Sequence, residues 1–369
     1  MLINKKYLPL FKALSVEAAK HGLSAWLVGG CVRDAYLGIP TKDIDITVLE
    51  NPNPLVNFCV KKYKAQAQKF DAFGTWRVQF KNGLKIDFVT ARRETYPKSA
   101  MLPLVAPGTI KEDLFRRDFT ANAWAVSLSQ KDFGAGFDPY GAQKAVDGKY
   151  IKILHAQSFK DDPTRMFRAV RFAGRFNWKI EKETSRLLTE ASARRYPELL
   201  SRARLRAELV KILQEKRADK IFKLMKFYNL EKFFAPSLLL VPAAQKASST
   251  NARLGVLAAR AGGKFLESLE LPRKDFLEID SALEILKTKL SPLKKLTKTQ
   301  TEIIKLSAPR LPPAAAKPAF LTGGEIAARG FKNAQISAAQ NILRALQYAG
   351  KIKTKFSAQK KLSELKNGL

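Results

Sequence analysis

Cysteine and histidine are nearly absent from this chain of 369 residues: Cys31 and Cys59 are the only cysteines, and His21 and His155 the only histidines. Two cysteines cannot build a disulfide framework, and two histidines leave no ligand set for zinc and no His-based nucleophilic triad. Acidic residues are also few, with 33 Asp and Glu against 66 Lys and Arg, a formal net charge of +33. Such an excess repels itself in the folded state, and a polyanionic partner is the usual reason to carry it; a solubility device is the alternative. No run reaches the roughly 18 apolar residues of a membrane span, and the first ten residues lack a signal-type apolar core, so a cytoplasmic location is expected. Neither the P-loop pattern nor the dinucleotide-binding glycine pattern occurs.

What is present is apolar enough to fold, at 46% hydrophobic residues, and long enough for more than one domain. The most informative stretch is Leu27-Val28-Gly29-Gly30-Cys31-Val32-Arg33-Asp34, continued through Gly38 to Lys42-Asp43-Ile44-Asp45-Ile46. It reads as a strand, a glycine turn, a short helix closed by Gly38, and a second strand. Strand side chains alternate faces, so Asp43 and Asp45 emerge on one face about 6 to 7 Å apart, where they can hold a divalent metal. The Gly29-Gly30 turn lets backbone N–H groups approach an anion at a helix N-terminus, and Arg33 adds a charge within its first turn. Cys31 reads as a small filler residue beside that turn.

Helices are predicted over Tyr7 to Ala19 and Leu55 to Lys64, and strands over Ser24 to Val28, Asp43 to Leu49, Gly74 to Phe80 and Lys85 to Thr90. Asn82-Gly83 is a hairpin signal between the last two strands. Asp87 stands among apolar neighbours in Ile86-Asp87-Phe88-Val89, where a carboxylate needs a metal, a donor or water. It fits a third acid facing Asp43 and Asp45, and it fits equally a sheet-edge aspartate paired with Arg92 or Arg93. The three prolines and one glycine of 96–111 predict a loop. Beyond Lys149 the pattern is helical, so the fold class is α+β: a small mixed sheet with helices, then an all-α remainder.

LVGGCVRD followed by DID resembles the signature of the DNA polymerase β-like nucleotidyltransferases, in the branch of class II CCA-adding enzymes and bacterial poly(A) polymerases. The run from Ala91-Arg92-Arg93-Glu94-Thr95-Tyr96 to Arg116-Arg117-Asp118-Phe119-Thr120-Ala121-Asn122-Ala123 is similar to the RRDFTxNA region of the CCA-adding family. Arg117 can reach a triphosphate, and Asp118 or Asn122 can accept from a ribose hydroxyl. Asp161-Asp162-Pro163-Thr164-Arg165-Met166-Phe167-Arg168-Ala169-Val170-Arg171-Phe172 resembles the family's EDxxR motif, with Asp161 and Phe167 where Glu and Leu are usual. On this helix Met166, Ala169, Val170 and Ala173 share one face, while Arg165, Arg168, Arg171 and Arg175 cover an arc of about 120° beside it.

Asp162 has two readings. Ahead of Pro163 it is well placed as a helix N-cap; the resemblance implies instead that Asp162 and Arg165 act as an amino-acid template for the incoming base. Cytosine and adenine both present an exocyclic amine beside a ring-nitrogen acceptor, whereas uracil and guanine present a carbonyl at the amine position. A carboxylate and an arginine would therefore select C and A, by about 1 to 3 kcal/mol. The resemblance further implies Mg²⁺ on Asp43 and Asp45, CTP and ATP as substrates, tRNA as acceptor, and nucleotide contacts from Gly29, Gly30, Arg33, Arg117, Asp118, Asp162, Arg165, Arg168 and Arg171. Asp87 would be the third catalytic acid.

Four segments are expected: a nucleotidyltransferase head over 1–148, a helical neck over 149–217, a helical body over 218–307 and a basic, tRNA-binding tail over 308–369. The 236–244 and 308–318 stretches read as linkers. Leu200-Ser201-Arg202-Ala203-Arg204-Leu205-Arg206-Ala207-Glu208-Leu209 resembles the family's SxERxxxEL helix start, with Ala203 replacing glutamate. The tail carries lysines at 351, 353, 355, 360, 361 and 366, with Glu364 the only acid after residue 350. Poly(A) polymerase and an A-adding-only enzyme are the alternatives; the 69–76 segment resembles the CCA type. An RNA-binding module with a silent head is a third, against which Asp43, Asp45 and Arg33 count.

Overall fold

The computed structural model describes residues 2–70, 74–235, 238, 242–288, 296–307, 319–348 and 351–365. The predicted 308–318 linker, most of the 236–244 linker, residues 71–73 of the 69–76 segment and Lys366 lie outside these. Two compact units make up the chain, Met1–Ser201 with Lys223–Leu230, and Arg202–Phe222 with Glu231–Leu369.

The first unit begins with α1 (Leu8–Lys20), β1 (Ala25–Val28), α2 (Gly30–Tyr36), β2 (Asp43–Val48) and α3 (Asn53–Tyr63). Pro9 sits in the first turn of α1, where a missing N–H leaves no helical bond unmade. The chain continues through β3 (Gln66–Phe70), β4 (Thr75–Gln79) and β5 (Lys85–Thr90). Gly83, at φ +81°, makes the predicted β4–β5 hairpin turn, its N–H donating to the Phe80 carbonyl at 3.0 Å. Next come β6 (Arg92–Thr95), β7 (Leu104–Pro107), α4 (Ile110–Phe115), β8 (Ala125–Ser127) and β9 (Gly136–Phe137).

Strand order in the seven-stranded sheet is β3-β4-β5-β2-β1-β8-β9, with β2 and β5 parallel and the other neighbours antiparallel. Ile44, Ile46 and Val48 alternate with Asp43, Asp45 and Thr47, and their register partners Ile86 and Phe88 continue the apolar face. These residues are buried, as are Leu14, Leu55 and Val78. That face is closed, so the opposite one is left to carry the acids.

Three expectations need correction. The 96–111 loop is shorter than predicted, because 104–107 pairs with β6 and α4 starts at Ile110 behind a Thr109–Glu112 capping box. Pro103 and Pro107 flank and end this two-stranded edge, where a strand tolerates proline. β3 was not expected at all: its residues are exposed throughout, so it shows no alternation of apolar and polar positions. The segment after Lys149 is not purely helical. After α5 (Ala142–Asp147), β10 (Tyr150–Ile151) pairs parallel with β11 (Lys179–Ile180) across α6 (Ser158–Asp161) and α7 (Thr164–Phe176). Strands of two residues leave no periodic signal. α8 (Lys182–Ala193) completes this region.

The second unit contains helices Arg202–Gln214, Thr250–Ala261, Arg273–Thr288 and Lys298–Ser307. Its last three helices, Gly323–Ala327, Ala334–Tyr348 and Lys355–Leu365, share a small core of Leu321, Ile326, Phe331, Ala339, Leu343, Ile352, Ala358 and Leu362. No helix among the described residues is long and apolar enough to cross a membrane.

Phe88, on β5 between β4 and β2, is fully buried. Phe88→Ala should lower the unfolding free energy by about 3–5 kcal/mol, measured by urea denaturation.

Candidate active site

The turn between β1 and α2 is built for close approach. Gly29 sits at φ +79°, ψ −134°, a conformation that a residue with a Cβ adopts only under strain. A Cβ here would also overlap the Arg117 guanidinium, which lies directly over the turn. The Gly29 carbonyl accepts from the Val32 and Arg33 N–H groups, each at 3.2 Å, and its own N–H donates to Trp124 O at 2.9 Å. The first-turn N–H groups at Gly30 and Cys31 have no intrahelical acceptor. Beside them the Arg117 Nε is buried without a hydrogen-bond partner. Unmet backbone donors and an unmet guanidinium donor together form a cradle for an anion. The Cys31 thiol is pushed up to about 12, chiefly by burial and then by Asp45, so it stays protonated.

The acids lie on the open face of the sheet. Asp43 and Asp45 alternate with Ile44 on β2, and Asp45 stands directly opposite Asp87 on the parallel strand β5. Burial raises the Asp45 carboxyl above the usual range, Arg117 opposes this, and Asp87 adds to it. Asp87 accepts two bonds from Arg77, Nε at 2.8 Å and Nη2 at 2.7 Å. The sheet-edge reading is corrected on both counts: β5 lies inside the sheet between β4 and β2, and the partner is Arg77, the cross-strand neighbour on β4, while Arg92 pairs with Glu94 at 2.8 Å. No group of three or more His, Cys, Asp or Glu among the described residues is placed to hold a metal ion. Asp43 and Asp45, two hard oxygen donors on one face, are the pair that fits a divalent cation.

A second network surrounds Asp118, which is buried. Its Oδ1 accepts from the Phe119 N–H at 2.9 Å and from Asn122 Nδ2 at 2.8 Å, and its Oδ2 accepts from Arg168 Nε at 2.8 Å and from Arg168 Nη2. Asn122 Oδ1 in turn accepts from Arg33 Nη1, and Arg33 also donates to Asp34 Oδ1 at 2.9 and 2.7 Å. Burial alone would raise the Asp118 carboxyl, but Arg168 and Asn122 outweigh it and hold the group down at about 2. The glycine-turn, RRDFTANA and α7 motifs thus share one continuous set of bonds.

Asp162 and Arg165 sit at the start of α7. The Asp162 Oδ1 accepts from the Thr164 N–H at 3.0 Å and its hydroxyl at 2.6 Å, a capping contact of the kind predicted. Arg165 is buried, donating to Ser158 Oγ and to the Arg116 carbonyl, both at 2.8 Å. Arg171 is buried with its guanidinium 4.6 Å from the Phe172 ring centre. Two contributors were not singled out from the sequence. Arg77 gave no signal, since its role depends on strand register. Asp113, fully buried, binds Arg116 at 2.7 Å and Arg117 at 3.2 Å, and the i,i+3 and i,i+4 spacing of Asp113, Arg116 and Arg117 could have revealed it.

Residues 25–152 match the family described as "Poly A polymerase head domain", and residues 177–240 match "Probable RNA and SrmB- binding site of polymerase A". The chain is similar to the A-adding tRNA nucleotidyltransferase of Aquifex aeolicus, 39% identical over 56% of this chain and 25% of that protein. It therefore spans about a quarter of the length of that curated relative. Among solved structures it is similar to a CCA-adding enzyme in an apo form, with TM-score 0.72 and 29% identity over 100% of this chain and 97% of that one. It is also similar to the Thermotoga maritima CCA-adding enzyme complexed with tRNA, with TM-score 0.65 and 28% identity over 99% and 97% of the two chains.

Two outcomes follow from this geometry. Gly29→Ala should destabilise the protein by about 1–3 kcal/mol, read as a lowered urea midpoint. Because the Asp118 carboxyl is held below its unfolded value, its stabilisation is present above about pH 4 and is lost as pH falls toward about 2. Asp118→Asn should therefore lower stability by on the order of 2 kcal/mol at neutral pH, with the difference from the native protein shrinking below pH 4 in denaturant titrations.

Proposed function

Because the chain belongs to the tRNA nucleotidyltransferase and poly(A) polymerase family, we propose that it completes the 3′ CCA end of tRNA, using CTP and then ATP and releasing pyrophosphate. The observation that carries this reading is the carboxylate pair Asp43 and Asp45 on the open sheet face, with the Gly29-Gly30 turn and the unmet Arg117 donor close by. Nucleotidyl transfer needs these two features together: acids for a divalent cation and a donor-rich cradle for a triphosphate.

Asp43 and Asp45 would hold Mg²⁺, which when bound polarises the α-phosphate and neutralises charge on the pyrophosphate in a two-metal arrangement. The Gly30 and Cys31 N–H groups and Arg117 bind the β- and γ-phosphates. The primer 3′-oxygen attacks the α-phosphorus, the new O3′–P bond replacing the bond to the leaving pyrophosphate. Asp87, tied to Arg77, adds negative charge opposite Asp45. Asp118 already receives four donors, so its role is to fix Asn122 and Arg168 beside the ribose and base. Asp162 and Arg165 select the base; the capping bond leaves Asp162 anchored at the helix start while its carboxylate accepts from the exocyclic amine of C or A. The 1–148 segment is the head, 149–217 the neck, 218–307 the body, and the lysine-rich 308–369 tail holds the RNA phosphates.

A second reading has its own support: relatives 39%, 37% and 36% identical to this chain are named A-adding tRNA nucleotidyltransferases. One experiment separates the two. Purified protein is incubated with Mg²⁺, each labelled nucleoside triphosphate and tRNA transcripts lacking three, two or one terminal nucleotides. The proposal expects CCA synthesis on all three. Adenosine added only to the transcript ending in two cytidines would establish the A-adding reading, and long adenosine tails would establish poly(A) synthesis. Asp43→Asn or Asp45→Asn should lower the rate by on the order of a thousandfold with the fold intact by circular dichroism.

A further inference from the structure

Arg33 is buried and already committed to protein groups. It is 4% exposed, and its guanidinium already donates to Asp34 and Asn122. It also lies over two aromatic rings: the guanidinium carbon is 4.6 Å from the Phe176 ring centre and 5.4 Å from that of Phe172. These residues are one helical turn apart on α7, with ring planes within 13° of each other. Each ring is backed. Trp178 stacks on Phe176 at 4.8 Å, and Phe119 meets Phe172 edge-on at 5.9 Å. The rings are therefore held in place where Arg33 meets them; Phe176 is the nearer contact, and Phe172 also carries Arg171 at 4.6 Å and Arg168 at 5.4 Å, so the two rings present one aromatic surface to the cation.

Arg33 belongs to the first turn of α2, whose N-terminus is the Gly29-Gly30 turn, and its N–H is bonded to the Gly29 carbonyl. Clamping its side chain onto α7 therefore clamps the turn. We propose that Phe172 and Phe176 are positioning residues for triphosphate binding: their ring faces hold Arg33 as a strut between α7 and the Gly29-Gly30 turn, so that the turn's N–H groups stay aimed at the phosphates. This assignment rests on the reading of the turn as the triphosphate site. It gives the aromatic residues of α7 a role in the head's chemistry, and it removes Arg33 from the phosphate ligands.

Phe176 is only half-buried, so its replacement need not unfold the protein. Phe176→Leu keeps bulk and loses the π-face, whereas Phe176→Tyr keeps both. Two readouts are compared in the full chain. In the native protein the Arg33 guanidinium N–H resonances should be shifted upfield by the rings and protected from exchange; Phe176→Leu should lose both signatures and Phe176→Tyr retain them. In parallel, Phe176→Leu should raise the KM for MgATP about tenfold with kcat changed by less than about threefold, and Phe176→Tyr should restore it. Leu and Tyr variants that match each other in either readout would overturn the clamp, since a packing role needs only volume. Native protein that binds neither ATP nor CTP would overturn the triphosphate reading, and the Arg33 resonances would still decide separately whether the rings hold the arginine.

Discussion

One buried carboxylate ties the glycine turn, the RRDFTANA segment and α7 together. Asp118 receives donors from its neighbour's backbone, from Asn122 and from Arg168, and through Asn122 it reaches Arg33. A buried ion pair adds little net stability compared with an apolar pair of the same shape, but losing one partner costs about 3–5 kcal/mol because the other charge is stranded. The Asp118 cluster therefore works as a specifier. It fixes which rotamers Arg168 and Asn122 adopt, and so fixes how α7 is set against the glycine turn.

The same logic explains the charge pattern. In a chain with twice as many basic as acidic residues, Asp34, Asp113 and Asp118 are buried, and each faces arginine. Arginine suits this task because its planar fork can engage an acid at one edge while an aromatic ring covers its face. Lysines, strongly hydrated and on flexible stems, dominate the tail instead. The arginines of the site are committed to protein groups, whereas Lys351, Lys353 and Lys360 of the tail are exposed and Lys355 and Lys361 pair with Glu325 and Glu364 at the surface. Arg117 stands between these classes, with one nitrogen on Asp113 and its Nε unmet.

Much of the fold was legible because its signals are local. The Asp43–Asp45 alternation, the Asn82-Gly83 hairpin and the amphipathic α7 each follow from a period or a turn residue, and each is present. β3 and the two-residue strands were not legible, since an exposed edge and a pairing of two residues carry no apolar periodicity. The site divides in the same way. The acids and glycines announce themselves by spacing, but which arginine meets which acid depends on register and on contacts between residues far apart in sequence. Arg77 reaches Asp87 through strand pairing, and Arg33 reaches Phe176 across more than a hundred residues.

The central claim is that the glycine-turn, RRDFTANA and α7 motifs form one mechanical unit through Asp118. A double-mutant cycle on Asn122→Ala and Arg168→Ala, read as unfolding free energy in urea, tests it most directly, because the two residues contact opposite oxygens of the same carboxylate. A coupling energy of about 1 kcal/mol or more is expected. Single-mutant effects that sum to the double mutant within about 0.3–0.5 kcal/mol would contradict it.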